Sequence, residues 1–282
     1  MIAAQLYSVR NEMDIDLEGT LRRLKEIGFQ GVEPMLIPLK KQNNYPALFW
    51  TDESRDRCFQ LCKKIGLEIC SVHLGIGFSS CRTSEKKTAE LIRKVHHQYG
   101  VRYYIVSGMF TTETAAKSWG HYLRKLSEDL KDEDVVILYH NHDSEFYPSI
   151  KDGKKHFLMD TFFDAAGEDV KMQFDMGWAG YAYDALKLFE SYQNRILSIH
   201  CKDFSEETEW KSDINQIEDR CFIPCGTGMI PVKDLVARYL EKTEGSPLIV
   251  IEQDRCSHLI FDDLKKSFDN ITLFSKTDSL KE

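Results

Sequence analysis

The chain changes character within one stretch, Val135-Val136-Ile137-Leu138-Tyr139-His140-Asn141-His142-Asp143-Ser144-Glu145-Phe146. Its first residues form an apolar run typical of a buried strand, and the residues after it include two imidazoles, an amide and two carboxylates. Three further strand-like runs end in a similar way, in Asp175, His200 and Glu252. Imidazole and carboxylate groups are ligands that hold divalent cations, so these strand ends predict one metal site.

Short apolar or β-branched runs recur along the whole chain and predict about eight strands, near residues 2–8, 30–34, 67–73, 102–107, 134–140, 170–175, 196–200 and 247–252. Most of them are separated by helical periodicity, as in Leu17, Leu21, Leu24 and Ile27. Glycine at the expected cap position follows several of these helices. The alternation predicts a single (β/α)₈ TIM barrel over residues 1–275, with a short polar tail at 276–282.

A doubly wound open sheet is the alternative fold, but no Gly-x-Gly-x-x-Gly turn follows the first strand. Polar residues also gather at many strand ends instead of at one crevice. In a barrel these ends meet on one face, which is where such enzymes place their sites.

The composition disfavours nucleic acids and anionic membranes as partners. The 282 residues carry a net charge of -8, which opposes broad attraction to nucleic acid or to anionic membranes. The start lacks the basic leader of a signal peptide, and no apolar run approaches bilayer length, so we expect a cytoplasmic protein. Eight cysteines contain no C-x-x-C pair and predict reduced thiols; a zinc cluster from the four-residue spacings of Cys58/Cys62 and Cys221/Cys225 is the weaker interpretation.

Six motifs at the strand ends resemble the sugar phosphate isomerase/epimerase family, which belongs to the xylose isomerase-like TIM barrels. They are Val32-Glu33-Pro34, Ser71-Val72-His73, Tyr139-His140-Asn141-His142-x-x-Glu145-Phe146, Phe174-Asp175-x-Gly177-Trp178, Ile199-His200-x-Lys202-Asp203 and Ile251-Glu252-x-Asp254. The resemblance runs from Ala4-Gln5-Leu6-Tyr7 to the last strand. It implies a barrel enzyme that acts on a sugar or keto-sugar with one divalent metal ion (Mn, Mg, Co or Zn).

The resemblance also implies which residues hold the metal. The family places glutamate, aspartate, histidine and glutamate on strands five to eight, which gives Asp175, His200 and Glu252 here. His140 stands where many members have glutamate, and imidazole can replace carboxylate at Zn, Mn or Co sites. The expected ligands are therefore His140, Asp175, His200 and Glu252.

The change at strand five leaves the second acid/base group open. In the wider family two ligand-associated glutamates pass a proton between carbons through an enediolate, and here only Glu252 keeps that position. Glu145 and Glu33 are candidates for the missing partner, and His142 could serve near neutral pH without pKa tuning.

Several more residues are expected on the substrate side of the site: Glu33, His73, Asn141, Trp178 and Lys202. An exposed surface ion pair is the alternative for Lys202 with Asp203. Aromatic side chains that could line a sugar pocket are Trp178, Tyr181, Tyr183, Tyr7, Phe78 and Trp50, with core filling as the alternative for each. The turn Gly226-Thr227-Gly228-Met229-Ile230-Pro231 lacks the Gly-x-x-x-x-Gly-Lys pattern of a phosphate cradle.

The sequence favours an isomerase or epimerase for a small-molecule sugar, with a homo-oligomer possible. A metal-dependent lyase or hydratase would use the same metal and base, and a non-catalytic sugar-binding protein would result if the strand-five change abolished proton transfer. An apurinic endonuclease is disfavoured, because Ser107 and Trp178 stand where that pattern needs further ligands.

Overall fold

The structure of the protein, a computed structural model, describes residues 1–36, 52–76, 83–211, 213–257 and 259–276. Its strands are Ile2–Gln5 (β1), Gly31–Glu33 (β2), Met35–Leu36 (β3), Glu68–Ile69 (β4), Val72–Leu74 (β5), Tyr103–Val106 (β6), Val136–His140 (β7), Ser149–Lys151 (β8), Lys154–His156 (β9), Lys171–Asp175 (β10), Ile196–Cys201 (β11), Asp203–Phe204 (β12), Phe222–Ile223 (β13) and Leu248–Ile251 (β14).

The α-helices of the described residues are Arg10–Ile15 (α1), Leu17–Ile27 (α2), Asp52–Ile65 (α3), Glu85–Tyr99 (α4), Glu113–Asp129 (α5), Leu158–Ala166 (α6), Met176–Ala182 (α7), Ala185–Tyr192 (α8), Val232–Lys242 (α9) and Ile260–Phe274 (α10). Short 3₁₀ helices lie at Leu6–Val9, Ser144–Phe146, Ile214–Gln216 and Asp219–Cys221. The predicted strand–helix alternation is therefore present. None of the described helices combines the length and apolar character needed to cross a membrane.

Ten strand segments form one parallel sheet in the order β3-β5-β6-β7-β10-β11-β14-β1-β2-β4. Two predicted strands are each split. Pro34 separates β2 from β3, because proline has no N–H to donate to the ladder, and Cys70-Ser71 separates β4 from β5. The first predicted strand ends early, at Gln5, because Leu6–Val9 turn into a 3₁₀ helix.

The helices bury the faces that their periodicity predicts. In α2 the buried side chains include Leu17, Leu21 and Leu24. Gly100 ends α4 in the left-handed conformation with φ of 73°, and its N–H donates to the carbonyl of His96. The described cysteines are free thiols, Cys58 and Cys62 among them in α3, whereas Cys81 lies outside the described residues.

Four adjacent strands carry the predicted ligands to one edge of the sheet. β7, β10, β11 and β14 are consecutive in the strand order, and Asp175 lies opposite His200 in the β10–β11 register. His140 lies opposite Gln173, two residues before Asp175, and Glu252 directly follows β14. Because the strands are parallel, their carboxyl ends place these side chains side by side.

Candidate metal centre

His140, Asp175, His200 and Glu252 converge in a single buried cluster. Each offers one ligand atom, and these atoms all lie within 4.8 Å of one another. The structure thus brings together all four residues that the sequence resemblance indicated. Two imidazoles and two carboxylates are a donor set that fits a divalent transition metal.

The carboxylate of Asp175 is fixed by one oxygen and open at the other. Asp175 caps α7, so that Oδ1 accepts a hydrogen bond of 2.8 Å from the N–H of Trp178. Oδ2 is buried without a hydrogen bond, 3.8 Å from Nε2 of His140 and 3.9 Å from Nδ1 of His200. Its charged neighbour is Nζ of Lys202 at 3.2 Å, and a cation between Oδ2 and the two imidazoles would give this oxygen a further partner.

His140 is oriented from behind by an amide. Its Nδ1 lies 3.0 Å from Oε1 of Gln173, an acceptor, which places the proton on Nδ1 and leaves the Nε2 lone pair toward the cluster. Nε2 of Gln173 donates to Oε2 of Glu33 at 2.7 Å, and this contact sets the orientation of the amide. Histidines that bind metals usually donate their other ring nitrogen in this manner. Burial and the neighbouring His200 hold the pKa of His140 well below its usual range.

Glu33 lies beneath the cluster as a fully buried acceptor. Its Oε1 accepts from Nε2 of Gln5 at 2.7 Å and from Nε2 of His200 at 3.0 Å, and its Oε2 accepts from Oγ of Ser71 at 2.5 Å. Burial alone would raise the pKa of Glu33, but His200 and His73 beside it hold the pKa well below its usual range. Glu33 is therefore ionised, and it supports the site through His200 and Gln173.

Each ring nitrogen of His200 contacts a carboxylate. Its Nε2 faces Glu33, and its Nδ1 lies 3.1 Å from Oε2 of Glu252. Burial disfavours the charged ring, but the carboxylates of Glu33 and Glu252 outweigh it and raise the pKa of His200 to about 10. Without a metal the ring is an imidazolium between two carboxylates, and Nδ1 must lose its proton to become a ligand.

Lys202 places a buried ammonium against the same carboxylates. Its Nζ lies 3.2 Å from Oδ2 of Asp175, 3.0 Å from Oε2 of Glu252 and 2.9 Å from Oδ2 of Asp254. The side chain is only 1% exposed, so the expectation of an exposed surface ion pair is wrong. Burial lowers the affinity of an ammonium for its proton, but the three carboxylates outweigh this and hold the pKa of Lys202 well above its usual range.

A cavity of about 300 Å³ opens beside the cluster. Six of the residues expected at the site line it: His73, His140, His142, Trp178, Lys202 and Glu252. The ring of His142 stacks on Trp178, with centroids 6.0 Å apart and an angle of 24° between the planes. Burial and the charge of Lys202 lower the pKa of His142 to about 3, so the expectation of an untuned histidine at neutral pH is wrong.

Besides the cluster residues Asp175 and His200, three of the expected residues are not among those that line this cavity. Glu33 lies beneath the ligands, as described above. Asn141 pairs with the backbone of Asp175, accepting from its N–H at 2.9 Å and donating to its carbonyl at 3.0 Å. Glu145 accepts from the hydroxyl of Tyr139 at 2.5 Å and from the N–H of His142 at 3.2 Å, and burial raises the pKa of Glu145 to about 7. Each of the three has contacts typical of a positioning residue.

Among the aromatic candidates, Trp178 and Tyr7 line the cavity, whereas Trp50 and Phe78 lie outside the described residues. Tyr181 packs edge-on against Trp178, with ring centroids 5.8 Å apart. The ammonium of Lys155 lies over the ring of Tyr183, and neither residue is part of the cavity lining. Two of the aromatic candidates thus contribute directly to the wall.

The glycine-rich turn after β13 is filled by a side chain of the protein. Oδ2 of Asp203 accepts from the N–H groups of Gly226, Thr227 and Gly228 at 2.9, 3.1 and 2.9 Å. Oδ1 accepts from the N–H of Ile230 at 3.0 Å. The carboxylate occupies the position that an external anion would need, which accords with the turn predicted from the sequence.

Sequence reasoning missed Gln173 as a site residue and gave no role to Asp254. Gln173 precedes Asp175 by two residues, so both side chains point to the same face of β10. Asp254 follows Glu252 by two residues, and burial together with nearby carboxylates outweighs Lys202 and raises its pKa to about 6. The period of two along β10 was the available signal for Gln173, whereas Asp254 lies beyond the end of β14.

The fold is found in many known proteins. A sugar phosphate isomerase/epimerase from Parabacteroides distasonis superposes with a TM-score of 0.73 at 20% identity, over 98% of this chain and 94% of that one. A probable 3-DHS dehydratase, AsbF, involved in petrobactin synthesis in Bacillus anthracis gives 0.69 at 15% identity, over 96% and 98%. A xylose isomerase-like TIM barrel protein from Mycobacterium smegmatis, in complex with magnesium, gives 0.66 at 12%, over 98% and 96%.

At these identities the structural likeness establishes the fold. No curated protein sequence matches the chain. Residues 21–262 match a sequence family described as xylose isomerase-like TIM barrel, which covers most of the chain. The protein belongs to the xylose isomerase-like TIM barrel family.

Proposed function

We propose that the protein is a divalent-metal-dependent isomerase or epimerase that moves a proton α to a carbonyl, through an enediolate, on a sugar, keto-sugar or polyol derivative. The observation that carries the proposal is the buried His140–Asp175–His200–Glu252 cluster beside a cavity, with ligand atoms that all lie within 4.8 Å of one another. The parallel-strand pairings of β2 with β4 and of β3 with β5 further support a sheet that closes as a complete (β/α)₈ barrel.

The four cluster residues are the proposed ligands of one metal ion. Two imidazole donors favour Zn, Mn or Co, and the magnesium complex of the Mycobacterium smegmatis protein keeps Mg among the candidates. When bound, such a cation stabilises the negative charge that develops on the carbonyl and adjacent hydroxyl oxygens of a substrate.

Glu252 is the proposed base. It lines the cavity, and although burial alone would raise its pKa, Lys202 and His200 hold the pKa of Glu252 well below its usual range. The carboxylate is therefore ionised at neutral pH and can accept a proton from a carbon placed above the cluster. His142 also lines the cavity as a neutral imidazole, and its proposed role is a hydrogen bond to a substrate oxygen, with Glu145 holding its backbone in place.

The proposed substrate contacts come from His73, Trp178 and Lys202. Trp178 offers an aromatic face to the apolar side of a sugar ring, and Lys202 offers an ammonium next to the ligands. We assign Glu33 and Asn141 an indirect role, because they contact His200 and Asp175 instead of the cavity.

Metal content tests the ligand set. Asp175→Ala and His200→Ala should each lose stoichiometric metal, measured by elemental analysis of purified protein. Asp132→Ala and His97→Ala remove an exposed carboxylate and an exposed imidazole, and they should keep the metal. Stoichiometric metal in both cluster variants would contradict the assignment.

Solvent deuterium tests the reaction. The metal-loaded protein is incubated in deuterated buffer with a panel of aldoses, ketoses and keto-sugars, and exchange at the α carbon is followed by NMR. Exchange without loss of a leaving group supports the isomerase, and Glu252→Gln should stop it while sparing part of the metal. Exchange coupled to loss of a leaving group identifies a lyase, and binding without exchange identifies a sugar-binding protein.

A further inference from the structure

A second cavity lies next to the one beside the metal cluster. It measures about 500 Å³ and shares three lining residues with the first cavity, namely Met109, Ile214 and Asn215. Both volumes fall within the range of about 300–1,000 Å³ typical of small-molecule sites. The shared side chains place the two cavities next to each other.

The lining of the second cavity is more apolar than polar, with several hydroxyl and carboxylate groups and no cationic side chain among the described residues. Hydroxyl groups come from Thr111, Ser144 and Ser149, and carboxylates come from Asp143 and Asp213. Hydroxyls and carboxylates bind the hydroxyl groups of neutral sugars, whereas the carboxylates repel a phosphate.

The cations of the first cavity already have protein partners. Nζ of Lys202 contacts three carboxylates, as described above. The guanidinium of Arg10 donates to the carbonyls of Tyr7 and Asp254 at 2.7 and 2.9 Å. Arg255 donates to the carbonyls of Ile214 and Asn215 at 2.8 and 3.2 Å. Each guanidinium keeps further N–H donors, so the preference for a neutral sugar unit applies to the second cavity, where no described cation lies.

An exposed aromatic platform lies next to the second cavity. Trp210 is 58% exposed, yet its Nε1 donates to the hydroxyl of Tyr147 at 2.8 Å, and the two rings meet edge-on with centroids 6.0 Å apart. Tyr147 lines the second cavity and donates to Oδ2 of Asp143 at 2.5 Å. An exposed indole held in one orientation offers a ready stacking surface at low entropic cost.

We propose that the second cavity binds a second, neutral sugar unit, with Tyr147 and Trp210 at its wall and rim. The substrate class is then a glycoside of at least two units instead of a sugar phosphate. The inference rests on the proposed function only in that the first unit occupies the cavity beside the metal cluster.

The test compares binding of neutral disaccharides, monosaccharides and a sugar phosphate to the full-length protein. Saturation-transfer NMR and titration calorimetry are run with maltose, cellobiose and lactose, with glucose and galactose, and with glucose 6-phosphate. At least one disaccharide should bind about tenfold more tightly than its monosaccharides, with saturation transfer to both rings. Trp210→Ala should remove most of that difference, and Leu273→Ala, a substitution at a similarly exposed position (59%), should not.

Two results would overturn the proposal. One is equal or weaker binding of every disaccharide relative to its monosaccharides; the other is tighter binding of glucose 6-phosphate than of any disaccharide. Either result leaves the deuterium exchange of a monosaccharide untouched, so the second cavity and the proposed reaction can fail independently. Preferential disaccharide binding without any exchange would support the cavity assignment and count against the isomerase.

Discussion

Replacing Glu33 by glutamine tests whether the buried acceptor beneath the metal centre sets the properties of the site. Its two oxygens accept four hydrogen bonds, from Gln5, Ser71, Gln173 and His200. A glutamine has only one acceptor oxygen. Ser71 can turn its hydroxyl to accept, whereas Gln5 and Gln173 could accept only by flipping amides whose oxygens already face the N–H of Tyr7 and Nδ1 of His140. The new NH₂ group should therefore turn toward Ser71 and face the N–H of Gln173.

The expected magnitude follows from that orientation. The contact between Gln173 and a charged acceptor is lost, and such hydrogen bonds contribute about 1.5–3 kcal/mol each. We therefore expect the free energy of unfolding of the metal-free protein to fall by about 2–3 kcal/mol. Gln173 also orients His140, and changes of this kind behind a metal ligand lower metal affinity about 10–100-fold.

Two measurements check this prediction: denaturant unfolding without metal, and competition for Zn²⁺ or Mn²⁺ against a chelator of known affinity. Glu68→Gln is the matched control, because Glu68 is an exposed glutamate on neighbouring strand β4. Unchanged stability together with unchanged metal affinity in Glu33→Gln would refute the reasoning. A loss of affinity of the same size in Glu68→Gln would show that the effect is not specific to the buried acceptor.

Three further predictions concern charge and packing around the centre. The charged form of His200, with its pKa raised from 6.5 to about 10, stabilises the metal-free protein fully below about pH 6.5, and this stability is lost as the pH rises toward 10. Metal binding should accordingly release about one proton at pH 8, measured by calorimetry in buffers of different ionisation enthalpy. Lys202→Met leaves the buried carboxylates of Asp175 and Glu252 and the half-buried one of Asp254 without their ammonium. It should destabilise the metal-free protein by about 3–5 kcal/mol, with partial recovery of the melting temperature when a divalent metal is added. Gly228→Ala would place its Cβ 2.1 Å from the carbonyl of Phe204 and 2.6 Å from Oδ1 of Asp203, and should lower the stability by about 1–3 kcal/mol in thermal unfolding.

Each of these predictions has its own contrary outcome. Metal binding without proton release at pH 8 would mean that His200 is already neutral in the metal-free protein. A Lys202→Met protein with wild-type stability would show that the three carboxylates do not depend on the ammonium. For the turn, wild-type stability of Gly228→Ala would show that the backbone of Phe204 and the carboxylate of Asp203 leave room for a Cβ.

The four expected ligands were predictable because each lies near or just after the end of a parallel strand. His140, Asp175 and His200 each stand near the end of an apolar run, and Glu252 directly follows one. Parallel strands in a barrel bring such ends to one face whatever the details of the intervening helices. The split strands were less predictable, because the break at Cys70-Ser71 comes from local register and not from a breaking residue.

Part of the polar layer beneath the centre was also encoded in the sequence. Three polar residues each precede a site residue by two positions: Ser71, Gln173 and Ser198. Each side chain therefore points to the same face of the sheet as that site residue, one residue pair further from the end of the strand. A polar residue inside an apolar strand is unusual and could have been noticed for that reason. Their hydrogen-bond partners could not be predicted, because those lie on strands far apart in the chain.

The pKa values of His142 and Lys202 depended on burial, which the sequence gives only indirectly. Both stand just beyond a strand end, where an exposed loop and a closed pocket have the same local composition. In the structure, Trp178 and the neighbouring carboxylates enclose them, and burial shifts the pKa of His142 far from its ordinary value. These effects come from packing between elements and therefore required the three-dimensional arrangement.

Glu33 accepts hydrogen bonds from residues in both halves of the chain. Its four donors come from β1, the β4–β5 junction, β10 and β11, which lie in both halves of the sequence. A fragment ending at residue 140 would keep the carboxylate and lose Gln173 and His200, leaving a buried charge with half of its partners. We expect such a half-barrel not to fold alone, and a split protein to recover metal binding only when both fragments associate.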